Sequence, residues 1–188
     1  MSKVGLLNFL LVVSGPSGVG KGTILNDFLI NNPSVTFAVS ATTRQPREGE
    51  QHGVHYYFLT KEEFEKKIKN NEFLEYNQHF NNYYGTLNSE IERNFAIGKN
   101  VLLEIDTQGL IDIKKSSKFK VNSIFIAPPS IEELRNRLQK RGEKDLEIRV
   151  SSAEKEIARS KNYDLVVVNN DLETAKSDFK KAYTVFLK

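Results

Sequence analysis

The nine residues Gly15-Pro16-Ser17-Gly18-Val19-Gly20-Lys21-Gly22-Thr23 follow directly on an apolar run and lead directly into an amphipathic one. Glycines let the backbone curl so that successive N–H groups face one point, and the helix that follows adds the positive end of its dipole there. Lys21 brings a cation to the same place. A strand, loop and helix in this order form a phosphate-binding loop, with Lys21 set to neutralise the β- and γ-phosphates of a nucleoside triphosphate. The pattern G-x-x-x-x-G-K-[ST] is met except at its last place, where Gly22 stands and Thr23 follows. Thr23 is then expected to reach a magnesium ion through water. The alternative is a glycine-rich turn that holds no ligand; the lysine and the flanking elements count against it.

Four short runs rich in β-branched and large apolar residues, Leu6–Ser14, Val101–Ile105, Val121–Ala127 and Leu165–Val168, are too short for typical helices. Continuously apolar strands suit a parallel sheet covered on both faces. Helical patterns lie between them. Ile24, Leu25, Phe28 and Leu29 make one stripe, and Ser130 with Glu133 makes a capping box ahead of Leu134 and Leu138. A third helix is expected from about Leu146 to Lys161, and a last one carries Leu172, Ala175, Phe179, Ala182, Tyr183 and Phe186. Alternating strands and helices predict an α/β fold with a central parallel sheet in three layers. The stretch from about Ser40 to Gly85 breaks the rhythm and reads as an inserted lobe, with a helix over Glu63–Asn70 and strands at His55–Leu59 and Phe73–Phe80.

With 188 residues, the chain suits one domain with smaller lobes. Lys and Arg number 27 against 24 Asp and Glu, a net charge of +3, too little for a chain that coats nucleic acid. The absence of cysteine excludes disulfides, thiolate zinc sites and a cysteine nucleophile. The apolar run ending at Val13 is far shorter than the roughly 18 to 20 residues of a membrane helix, and it lacks a cleavage site. A cytoplasmic protein without a membrane partner is expected.

The segment Ser40-Ala41-Thr42-Thr43-Arg44-Gln45-Pro46-Arg47-Glu48-Gly49-Glu50 holds two arginines three apart, able to grip one phosphate from two sides or to lie at the surface as loop residues. Together with the phosphate loop, this segment, Asn71-Glu72-Phe73-Leu74-Glu75, Asn82-Tyr83-Tyr84-Gly85-Thr86, Glu104-Ile105-Asp106-Thr107-Gln108-Gly109 and Ile126-Ala127-Pro128-Pro129-Ser130 resemble guanylate kinase, in order over essentially the whole chain.

The resemblance implies Mg²⁺-dependent transfer of the ATP γ-phosphate to GMP or dGMP, in purine nucleotide metabolism and GMP recycling. It implies a P-loop NTPase core over about 1–38, 90–131 and 159–188, a GMP-binding lobe over about 39–89 and a lid over about 132–158. Glu75 takes the carboxylate role at the guanine edge, Ser40 and Thr86 the hydroxyl roles, and Asp106 assists. Arg44, Arg47, Tyr56 and Tyr84, with Gly85 beside them, hold the GMP phosphate. Residues Gly15 to Thr23 hold ATP together with Arg137, Arg141 and Asn169, and Thr23 with Glu104 faces the metal. Arg137, Arg141 and Arg149 match the lid arginines, although the segment between Arg141 and Arg149 is a few residues shorter than in the family.

Bland readings stand beside these. Glu75 also suits an exposed strand face, Tyr84 packing, Glu104 and Asp106 a solvent-facing strand end, and Asn169 a strand-end turn. Arg135, Lys140 and Lys144 read as a solvated helix face, and His52, His55 and His79 as lobe residues. The rival from another class is an inactive guanylate-kinase-like module that docks proteins. The active form is expected to be a monomer or homodimer.

Overall fold

A computed structural model describes residues 8–79, 81–143 and 145–188, with His79 described by its backbone alone. Leu6, Leu7, Phe80 and Lys144, on which parts of the sequence reading fall, lie outside the described residues. The first strand, β1 (Leu10–Ser14), is buried at all five positions. It lies at the centre of a parallel sheet ordered β2 (Val35–Phe37), β7 (Asn100–Glu104), β1, β8 (Val121–Ala127) and β9 (Leu165–Val168). Burial from both sides explains why the central strand β1 is apolar from Leu10 to Val13, whereas the edge strand β9 exposes Val166 and Val168.

Alternate side chains of β1 serve two cores. Leu11 and Val13 meet Ile24, Leu25 and Phe28 of α1 (Lys21–Ile30) and Ala175, Phe179 and Tyr183 of α7 (Leu172–Val185). The same core takes Leu134 and Leu138 of α5 (Ile131–Lys140) and Val150 and Ala153 of α6 (Leu146–Ala158). Leu10 and Val12 face Ile91 of α3 (Asn88–Ala96), Leu110 and Ile113 of α4 (Thr107–Ser116), and Tyr163. The helix expected to run to Lys161 is divided, since α6 ends at Ala158 and a 3-10 turn covers Ser160–Asn162. Arg135 stays on a solvated face, 38% exposed, and pairs there with Glu147 of α6.

The stretch that breaks the rhythm folds around a second sheet, ordered β4 (Tyr57–Phe58), β3 (Ala41–Thr42), β6 (Asn82–Leu87) and β5 (Phe73–His79). β3 and β4 are parallel, while β6 pairs antiparallel with both β3 and β5. Against it packs α2 (Lys61–Lys69), closed at its start by a capping box in which the Glu63 N–H donates to Thr60 Oγ1 and the Thr60 N–H to Glu63 Oε2. Phe64 of α2 is fully buried, stacked at 4.2 Å on Phe73 and 5.1 Å on Tyr83.

Phe179 carries the contact between α7 and α1, its ring edge-on to Phe28 at 5.0 Å and completely buried. Phe179→Ala is expected to lower unfolding free energy by about 3–5 kcal/mol in urea denaturation. A loss under about 1 kcal/mol would mean that the core collapses to fill the site.

Candidate active site

The loop between β1 and α1 is pressed from several sides. Gly18 and Gly20 take φ values of +83° and +96°, a backbone region that disfavours side chains. Space excludes side chains as well. A Cβ on Gly18 would lie 2.7 Å from Leu138 Cδ2, and one on Gly20 would lie 2.6 Å from Asn169 Nδ2. Asn169, buried at the end of β9, donates its amide to the Val19 carbonyl at 2.7 Å. That contact makes Asn169 a brace for the loop. Lys21 opens α1 and turns its ammonium back onto the carbonyls of Gly15 and Pro16, with Glu104 at 3.6 Å. Ser17 is exposed, and its hydroxyl accepts from Arg149 of α6 at 3.0 Å. Gly22 and Thr23 are exposed on the first turn of α1.

A cleft of about 880 Å³ opens between the two sheets, with Glu104, the ion-pair partner of Lys21, in its wall. Its walls bring together Ser40, Tyr56, Glu75, Tyr84, Thr86 and Asp106. Thr86, buried on β6, donates its hydroxyl to Glu75 Oε1 at 2.7 Å, placing one carboxylate and one hydroxyl side by side. Burial pushes the Glu75 carboxyl above the usual range, against the Thr86 hydrogen bond, and the charge of Asp106 adds to the push. Asp106 also caps α4, accepting the Gly109 N–H at 2.7 Å. Gly85, next to Thr86, is buried in the β5–β6 ladder.

Arg44 does not point out as an unattended loop residue. Its guanidinium donates to Glu50 at 2.9 Å and to the Gln45 carbonyl at 2.7 Å, and lies 5.5 Å from the centre of the Tyr56 ring. That same carboxylate accepts the Arg47 backbone N–H at 2.8 Å. These two bonds hold the Glu50 carboxyl down to about 2. The Arg47 residue is itself exposed. The proline-held segment is therefore a folded hairpin of charge with Glu50 as its centre, a role that the sequence reading left unassigned although Glu50 closes the quoted motif.

The three arginines expected to belong to a lid, Arg137, Arg141 and Arg149, have different surroundings. Arg137 donates to the carbonyls of Asn169 and Asn170 at 3.0 and 3.3 Å and pairs with Glu133. Arg141 is exposed at the end of α5, and Arg149 pairs with Glu143 at 3.0 Å besides reaching Ser17. Two groups that sequence reasoning missed lie near the loop. Burial raises the Glu156 carboxyl, with Lys21 opposing, and raises the Tyr163 hydroxyl to about 12. Neither belongs to a quoted motif, so no signal marked them. Among the described residues, no group of three or more His, Cys, Asp or Glu is placed to hold a metal. Oxygen donors from Thr23 and Glu104 suit a magnesium ion that arrives with phosphates and water, since this ion takes only one or two protein carboxylates.

A family model described as guanylate kinase matches residues 8–184. The chain is 46% identical to the guanylate kinase of Bacteroides thetaiotaomicron over 182 residues, covering 95% of this chain and 89% of that protein. It is 51% identical to the guanylate kinase of Clostridium tetani over 169 residues, covering 88% and 80%. The crystal structure of guanylate kinase from Anaplasma phagocytophilum superposes with a TM-score of 0.70 at 37% identity, covering 97% of this chain and 88% of that one. Alike in sequence and in frame over nearly its whole length, the chain belongs to the guanylate kinase family.

Proposed function

We propose that this protein transfers the γ-phosphate of ATP to GMP or dGMP, giving ADP and GDP or dGDP. The observation that carries the base assignment is the Thr86–Glu75 pair in a cleft shared with Ser40. Guanine offers N1–H and an exocyclic amine as adjacent donors and O6 as an acceptor. The Glu75 carboxylate receives the donors, the hydroxyls of Ser40 and Thr86 serve the acceptor edge, Thr86 giving up its bond to Glu75 to do so, and Asp106 assists. A base lacking that pattern leaves these groups unpaired, which is a strong basis for discrimination.

Arg44, Arg47, Tyr56 and Tyr84 hold the GMP phosphate, and Gly85 lets its strand run close by. The backbone N–H groups of Gly15 to Thr23 and the ammonium of Lys21 hold the ATP phosphates, with Asn169 bracing the loop from behind. A GMP phosphate oxygen attacks the γ-phosphorus in line, forming one O–P bond as the bond to the β-phosphate oxygen breaks and ADP leaves. No strong general base is needed, because the attacking oxygen is already anionic. Arg137, Arg141 and Arg149 offset the charge that spreads over the γ-phosphoryl oxygens. For Arg137 this means exchanging its carbonyl partners for phosphate. Thr23 and Glu104 would hold Mg²⁺ mainly through water, and the ion would supply positive charge to the phosphates. The core spans about 1–38, 90–131 and 159–188, the GMP lobe about 39–89 and the lid about 132–158. No helix among the described residues is long and apolar enough to cross a membrane.

In a coupled ADP-release assay with ATP and Mg²⁺, turnover is expected with GMP and not with AMP or UMP. Lys21→Ala is expected to lower kcat by about 10²–10³, the scale of losing one preorganised charge partner; equal turnover of all three acceptors would end the guanine reading. The pH dependence of kcat/KM for GMP gives a second check. Because burial raises the Glu75 carboxyl and the ionised form accepts the guanine donors, kcat/KM is expected to fall as pH drops, starting above the usual carboxylate range. Glu75→Gln should remove that limb of the profile. A limb that survives the substitution belongs to another group.

A further inference from the structure

Glu90 stands in the first turn of α3, where a glutamate ordinarily faces water and is favoured by the helix dipole. Here its side chain is 1% exposed. Oε1 accepts from the Val39 N–H at 3.3 Å and from Asn94 Nδ2 at 2.9 Å. Oε2 accepts from the Tyr57 hydroxyl at 2.8 Å and from the Arg93 guanidinium at 2.7 Å. Burial and the neighbouring carboxylate in turn push the Tyr57 hydroxyl up.

Arg93 and Asn94 belong to the same helix and would serve a carboxylate that only steadied α3. Val39 and Tyr57 do not belong to it. The chain passes between the two sheets twice, at residues 38–40 and again where β6 gives way to α3. The Glu90 carboxylate stands just past the second crossing and reaches back to the first. It also reaches Tyr57 on β4. The Tyr57 N–H donates to the Ser40 carbonyl at 2.8 Å. Ser40 follows Val39 and Tyr56 precedes Tyr57, so two cleft residues are each one position away from a group bound to this carboxylate.

All four partners donate, and a carboxylate is the side chain that accepts from four donors at once. A glutamine of the same shape would set its own N–H groups against two of them, leaving buried donors unmatched. We propose that Glu90 is a positioning residue for the acceptor-nucleotide cleft, pinning the first crossing and β4 so that Ser40 and Tyr56 face the bound nucleotide together. This rests on the reading of that cleft as the GMP site. The phosphate loop shares none of these bonds, so the ATP side is left alone.

The test is steady-state kinetics in each nucleotide for the wild type, Glu90→Gln, Tyr57→Phe and the double variant. Glu90→Gln is expected to raise KM for GMP about tenfold while KM for ATP stays within about twofold, a split that general loss of stability would not produce. Tyr57→Phe removes one hydroxyl and keeps the ring. It should raise KM for GMP by a smaller factor, and the double variant should be no worse than Glu90→Gln, since both act through one carboxylate. Should Glu90→Gln fail to fold, Tyr57→Phe decides by the same split. Unchanged KM for GMP, or equal rises for both nucleotides, overturns the proposal while wild-type turnover with GMP stands. A wild type that does not phosphorylate GMP overturns the cleft reading and this proposal with it.

Discussion

The close fit of the loop after β1 against its surroundings is the constraint on which the other features depend. Converging backbone N–H groups need a curl that only glycine adopts easily, and the curl is held because Leu138 of α5 and Asn169 after β9 press on it where a Cβ would stand. The strand order places β1 between β7 and β8, so the loop emerges in the crevice at the carboxyl ends of parallel strands. Elements distant in sequence, α5 and the turn after β9, are thereby drawn to one point. Val19 of the loop, Leu134 and Leu138 of α5 and Phe179 of α7 share one core.

The second sheet solves a different problem. It sets polar groups such as Glu75 and Thr86 at fixed spacing on a frame with little apolar surface to spare. Ala41, Phe64 and Leu87 form a small core of their own, while Leu74 of β5 packs into the core of the main sheet. The first holds the second sheet and α2 together, and Leu74 ties β5 to the main sheet. Polar bonds across the chain crossings add to that tie, and they are directional where apolar contacts are not.

Much of the main sheet was legible because burial on both faces leaves apolar runs, as in Leu10 to Val13 and Ile124 to Ile126. Val35–Phe37 and Ala41–Thr42 escaped notice because strands of three and two residues carry no periodicity. β6 was hidden for another reason: asparagine and glycine are depleted in strands, while the structure pairs Asn82 and Gly85 across from β5. The cleft residues Ser40, Glu75 and Thr86 were legible only through resemblance, since one carboxylate on a half-buried strand looks like any exposed strand face. Glu50 and Glu90 were not legible as partners. Their significance lies in what folds onto them, from Arg44 six residues earlier to Tyr57 on another strand.

The posture of Lys21 has a thermodynamic side. Its ammonium is already engaged by the loop's own carbonyls and by Glu104, so the loop carries an internal counter-ion arrangement before any ligand arrives. Binding a polyphosphate is then an exchange of partners around one cation rather than the capture of an anion by a bare charge. The intrinsic attraction is reduced by the bonds surrendered, and the dependence of nucleotide affinity on ionic strength is correspondingly shallower than the count of cations near the loop implies. Selectivity for phosphate over other anions follows from the same exchange, because only a ligand that also satisfies the converging N–H groups recovers what Lys21 gives up.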